Sequence, residues 1–147
     1  MRLILTVAYL LLVSLFVLRK GGQPERLVLS SLVISDLVDA LYHRLAGPAQ
    51  FDVVLPAHLL IDSAMLVCLM WIALRANRAW PMWVASAQLI MMLGHLGKLL
   101  EMREAFRGYW AMTQVPPLLQ LAFLTIGTAA HVWRQRAIGP YHSWRLA

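Results

Sequence analysis

The chain has 147 residues, of which 61% are hydrophobic and 14% charged, and its mean hydropathy is +0.66. That balance excludes an ordinary water-soluble domain, and no loop is long enough to fold into a separate soluble catalytic domain. The net charge of +6 does not point to nucleic acid, because the basic residues cap apolar runs instead of forming one patch; orientation in a membrane and contact with anionic lipid account for them.

The first apolar run, Leu3 to Leu18 behind Met1-Arg2, imitates a secretory signal. Arg19-Lys20-Gly21-Gly22 follows it where a small-x-small cleavage site would stand, so an uncleaved span over 2–18 is expected. A second span, 27–46, carries Asp36, Asp39 and His43 within a stripe roughly 60° wide at 100° per residue. The third, 55–74, places His58 and Asp62 one turn apart. Its Cys68 reads as a small packing residue, and a single cysteine provides neither an internal disulfide nor a cysteine metal cluster. RANRAWPMW then forms a tight basic hairpin into the fourth span, 80–100, which aligns Gln88, His95 and Lys98. EMREAFRGYWAM is expected to form a short helix that continues beyond the membrane or lies along its surface. The fifth span, 115–133, aligns Gln120, Gly127 and His131. Pro56, Pro81 and Pro116 each open a span, where a missing N–H costs nothing. Disorder is expected at most in the last dozen residues.

The chain therefore reads as an all-α, polytopic membrane bundle of about five transmembrane helices, a single transmembrane domain over 1–147. A barrel would need short alternating strands, which the helical spacing of the polar residues opposes. Arg19, Lys20, Arg26, Arg75, Arg78, Arg134, Arg136 and Arg145 fall on one side, eight of the thirteen Lys and Arg. The other side receives Arg2, Arg44, Lys98, Arg103 and Arg107, with Asp52, Glu101 and Glu104. The bias places the N-terminus outside and the C-terminus in the cytoplasm. Trp80, Trp83 and Trp133 would mark the inner interface, and Tyr42, Tyr109 and Trp110 the outer one.

Ionisable groups at membrane depth need partners or a wet cavity, each costing about 2.5–3.5 kcal/mol otherwise. Helices two to five would turn their polar stripes together, leaving the first span peripheral and facing lipid. Antiparallel alternation brings Asp39, His43, His58, Asp62 and His95 into one outer layer with Lys98, while Asp36 sits deeper and His131 lies alone at the opposite end.

Four readings of this cluster remain open. Two carboxylate–histidine pairs, Asp39/His43 and His58/Asp62, with His95 as a fifth group, suit zinc or iron, with water activation and hydrolysis inside the membrane as the furthest extension. Two imidazoles among His43, His58 and His95 could ligate a single b-type haem. Asp36 and the other carboxylates and histidines could carry protons or cations, although the inner half offers few groups to continue the path. The reading that asks least is structural: Lys98 neutralises Asp39 or Asp62, and the cluster holds four helices in register. The expected role is then an accessory subunit of a membrane assembly, not an enzyme, with the lipid bilayer and other membrane subunits as partners.

The combination of LYHRLAGP, AHLLIDSAML, LRANRAWPMW and LGHLGKLLE resembles a group of small uncharacterised multi-span proteins of alphaproteobacterial inner membranes. The resemblance covers most of the chain and implies a bacterial inner membrane, with no activity to transfer. Zinc-dependent membrane hydrolases of the ceramidase and progestin-receptor type also combine intramembrane His and Asp, but with more spans and paired histidines on one helix, a pairing this chain lacks.

Overall fold

The structure is a computed structural model that describes residues 2–47, 56–100 and 106–145, the side chains of 2–5 and of 106 and 107 excepted. Six helical segments follow one another: α1 (Arg2–Lys20), α2 (Gln23–Ala46), α3 (Pro56–Arg75), α4 (Trp80–Leu99), α5 (Phe106–Gln114) and α6 (Pro116–Ile138). Among the described residues there is no strand, only an isolated antiparallel bridge between Ala76 and Trp144. Asp52, Glu101, Arg103 and Glu104, with the EMREA part of EMREAFRGYWAM, lie outside the described residues.

Local chemistry sets the helix ends. Gly21 and Gly22 separate α1 from α2; the Gly21 N–H closes α1 on Val17 O, and a Cβ at Gly21 would collide with that same carbonyl. Glu25, three residues on, reaches back to accept from the Gly22 N–H at 3.1 Å, the glutamate half of a capping box. This cap explains why α2 starts at Gln23, four residues before the expected 27: hydropathy marks where the apolar run begins, whereas the helix begins at its cap. At the far end α2 stops on Gly47 (φ 99°) and α6 on Gly139 (φ 80°), both left-handed positions that favour glycine. α6 runs to Ile138, past the expected 133, with Arg134 and Arg136 near its negative end. Pro116 and Pro117 lack the N–H groups that would continue the α5 ladder, so the helical hydrogen bonding is interrupted after Val115, which itself keeps helical φ and ψ.

The helices close into a ring. α2 packs on α3, α3 on α4, α4 on α6, and α6 on α1, which completes the circuit against α2; α5 lies over α4 and α6. The apolar core occupies the half of the bundle nearest the α1–α2 turn, where Val17, Val28, Leu69, Ile72, Val84 and Leu124 are almost wholly buried. α1 buries Val13 and Val17 and leaves Leu11, Leu12, Leu15 and Leu18 exposed. The exterior is apolar all round, with Leu37, Leu60, Val67, Leu93 and Ile126 among the large exposed side chains. Serines on this surface bond to their own helix: Ser30, Ser31 and Ser86 each donate to the carbonyl four residues back at 2.8–2.9 Å. Two helical segments, Pro56–Arg75 and Gly108–Ile138, are long and apolar enough to cross a membrane.

One packing contact corrects the sequence reading. Trp80 is 6% exposed and lies flat on Gly127 of α6, so closely that a Cβ there would overlap the indole. It fills the α4–α6 gap instead of anchoring an interface; Trp83 and Trp133 do remain exposed on the surface. Gly127, which has no side chain, leaves the room that the indole fills here.

Candidate functional site

The bundle has two polar centres, one at each end. The first lies among the C-terminal part of α2, the N-terminal part of α3, the end of α4, and α5. Asp39 and His43, one turn apart on α2, face His58 near the start of α3. Their reactive atoms converge: His58 Nε2 is 2.9 Å from Asp39 Oδ1, His43 Nε2 is 3.0 Å from His58 Nε2 and 3.7 Å from the same carboxylate oxygen. His43 Nδ1 lies 2.9 Å from the Gly47 carbonyl, which can only accept, so Nδ1 carries the proton and a neutral His43 keeps its lone pair on Nε2, pointing at the other two groups. The helix-ending glycine thus fixes the tautomer.

One turn along α3, Asp62 begins a second, largely buried set. Gln88 of α4 donates to Asp62 Oδ1 at 3.0 Å and to the Asp62 carbonyl at 3.2 Å, and Gln120 of α6 donates to Gln88 Oε1 at 2.8 Å. The other carboxylate oxygen, Oδ2, accepts from His95 Nε2 at 2.8 Å. A neutral His95 then has an acceptor at Nδ1, and Tyr109 of α5 donates to it at 3.3 Å. The chain Gln120–Gln88–Asp62–His95–Tyr109 ties four helices together with every polarity consistent. Bonds of this kind to an ionised carboxylate are each worth about 1.5–3 kcal/mol, of the same order as what desolvating the carboxylate costs.

Both sets border one cavity of about 240 Å³, into which Asp36 also opens. Asp36 makes no hydrogen bond or ion pair with any described residue, and the only ion pair made by a lysine or arginine among the described residues is far away at Glu25. Among the described residues lining the cavity, three carboxylates are therefore balanced by imidazoles alone.

Of the expected outer layer, the structure brings together Asp39, His43 and His58, and separately Asp62 and His95. The pair His58/Asp62 does not form: both sit on one face of α3, but Gln88 and His95 across the α3–α4 contact claim Asp62. His95 Nε2 is thereby occupied and stands outside the convergent trio. Lys98 pairs with neither carboxylate; its ammonium lies 5.5 Å from the Tyr109 ring centroid. Tyr109, expected as an interface aromatic, is buried and belongs to the network. Tyr42 packs edgewise on His43 and His58 at 5.5 and 5.7 Å. As for haem, His43 and His58 are in contact through Nε2, which leaves no slot for a macrocycle between them.

The second centre is at the opposite end and was invisible in the sequence. Glu25 is wholly buried and paired with Arg78 from the α3–α4 turn, itself 5% exposed at its side chain. His131 is not alone there: its Nδ1 is 2.6 Å from the Tyr141 hydroxyl, and its Nε2 borders the space beside Gly22 that Arg78 and Glu25 also border. The guanidinium groups of Arg78 and Arg134 stack on Tyr141 at 5.3 and 4.3 Å. The segment after α6 is fastened over this centre: Arg78 donates to Ser143 Oγ at 3.3 Å, Trp144 to Gln23 at 2.6 Å, and backbone bonds join Asn77 to Ser143 and Arg145 to Arg75. Disorder of the last dozen residues is therefore not found over 136–145. The cue for Glu25 was its spacing from Gly22, which reads as a cap; its burial depends on Arg78 from fifty residues away.

No protein-family model, curated protein or solved structure matches the chain.

Proposed function

We propose that this chain is a bacterial inner-membrane protein of five spans, N-terminus outside, that binds one transition-metal ion, zinc or ferrous iron, through Asp39, His43 and His58. α1, α2, α3, α4 and α6 have 19, 24, 20, 20 and 23 residues. At 1.5 Å per residue each reaches about 28–36 Å, the thickness of the hydrocarbon layer. The exposed leucines and the self-bonded serines suit lipid, and the arginine-rich end suits the cytoplasmic face.

The observation that carries the metal reading is the convergence of two imidazole nitrogens and one carboxylate oxygen at 2.9, 3.0 and 3.7 Å. Ligands about 2.0 Å from a tetrahedral zinc stand about 3.3 Å apart, so the trio needs little movement to close on an ion. The carbonyl on His43 Nδ1 is the supporting bond such histidines commonly make. Three protein ligands leave a fourth position open to the cavity, the pattern of a reactive site instead of a sealed structural one. Elemental analysis of the protein purified in mild detergent tests this: about one zinc or iron per chain is expected, lost in H58A with the fold kept, whereas a metal-free chain that takes up none on reconstitution would rule it out.

A second reading has its own observation. The Asp62 network joins four helices with its polarities matched, as an accessory subunit held in register by polar contacts would require. In that case D62N should weaken the fold and leave metal content unchanged. Proton carriage would instead rest on Asp36, and D36N should then stop pH-driven flux in liposomes; unchanged flux removes it.

A further inference from the structure

We propose that Tyr109 is the catalytic acid–base of the cavity and that the protein hydrolyses short-chain carboxylic esters, the water being activated by the metal at Asp39, His43 and His58. The inference rests on the metal reading above. Its own observation is the direction of the buried chain. Gln88 occupies Asp62 Oδ1, which leaves Oδ2 to His95; that bond commits His95 Nε2 as donor and Nδ1 as acceptor, and Nδ1 takes the Tyr109 hydroxyl proton. The phenol oxygen has no other hydrogen-bond partner among the described residues, and Tyr109 lines the cavity. A network built only to hold helices together has no need to end on a cavity wall. The metal trio lines the same cavity as Tyr109, and His58 and Asp62 are four residues apart on α3, about 6 Å of rise.

The chemistry balances without any redox partner. Metal-bound water gives a proton to Tyr109 Oη while the phenolic proton passes to His95 Nδ1, and the imidazolium formed is stabilised by Asp62. The hydroxide attacks the ester carbonyl carbon, forming the new C–O bond. As the bond to the alkoxide breaks, His95 returns its proton through Tyr109 to the leaving oxygen, giving carboxylic acid and alcohol. The cavity favours a neutral, small substrate: three carboxylates repel phosphate esters, Ile61, Met91 and Pro117 supply apolar wall for an acyl chain, and about 240 Å³ is less than drug-sized ligands need.

The test uses full-length protein in detergent, zinc-loaded or stripped with EDTA, with p-nitrophenyl acetate and butyrate as probes and zinc measured on the same samples. Zinc-dependent hydrolysis is expected in the unaltered chain. Y109F should retain its zinc and thermal transition and lose about 100-fold or more in kcat. In D62N, which acts through His95, kcat should fall with a changed pH–rate profile, while zinc is retained. If zinc binds but loading does not raise the rate above that of stripped protein, or if Y109F is as fast as the parent, this inference fails and the metal reading stands. If no zinc binds, both fail. Should Y109F not fold, H95Q interrupts the same relay and is read in the same way.

Discussion

The two polar centres use similar groups and arrive at opposite designs. At the end near Gly22, a carboxylate is buried with a guanidinium, which keeps its charge at any ordinary pH, and the segment 139–145 is fastened over the pair. At the other end, carboxylates are matched by imidazoles, which can exchange a proton for a metal, and they border a cavity. A permanently charged partner under a cover suits holding the bundle together. An exchangeable partner beside a cavity suits binding and chemistry. On the proposed reading, the Gly22 end serves stability alone, whereas the cavity end sets the metal trio beside the helix-joining Asp62 network.

That separation can be broken from the Gly22 end first. Removing Arg78 leaves Glu25 buried without a counter-charge, so Arg78→Ala should cost about 3–5 kcal/mol, read as loss of folded protein by thermal unfolding in detergent. Whatever folded fraction survives should still bind metal at the parent stoichiometry; loss of metal at full stability would contradict the separation. Next is the α4–α6 contact. Gly127→Ala forces a methyl into Trp80 and should destabilise by about 1–3 kcal/mol in a denaturant titration, again with the metal site intact. Tyr141→Phe deletes the bond to His131 but keeps the ring under Arg78 and Arg134, and a loss of about 0.5–1.5 kcal/mol is expected. The smallest change belongs to Lys98→Met. It removes only a cation above the Tyr109 ring, about 0.5–1 kcal/mol, and metal content should not move; a collapse of the fold would mean that Lys98 neutralises a carboxylate after all.

The sequence made the cavity end partly legible because helical spacing is local. Asp39 and His43 share a face at i, i+4, and antiparallel alternation puts His58 at their level, so the three were placed in one layer, although His58 was paired with Asp62 and its contact with Asp39 is tertiary. Asp62 was placed in the right layer but given the wrong partner. Which neighbour a polar edge meets depends on helix rotation, and α3 turns Asp62 toward α4, where Gln88 and His95 take it. Tyr109 was missed for a related reason: the docking of α5 on α4, Met112 beside Gly94, swings the phenol inward, and nothing in FRGYWAM announces that. Arg78 was read only as a topology charge, and Glu25 was not singled out; Glu25 caps α2, and the burial of the two together comes from a contact between distant segments. Trp80 shows the same limit, because its place is decided by a glycine on α6.

The most direct test of the central claim is X-ray absorption at the zinc edge on the zinc-loaded protein, compared with H43A and H58A. The account predicts a four-coordinate ion with about two imidazoles and oxygen ligands at roughly 2.0–2.2 Å and no sulfur, and the loss of that bound ion in either variant. An ion surrounded by water oxygens alone, or a spectrum identical in all three proteins, would contradict it.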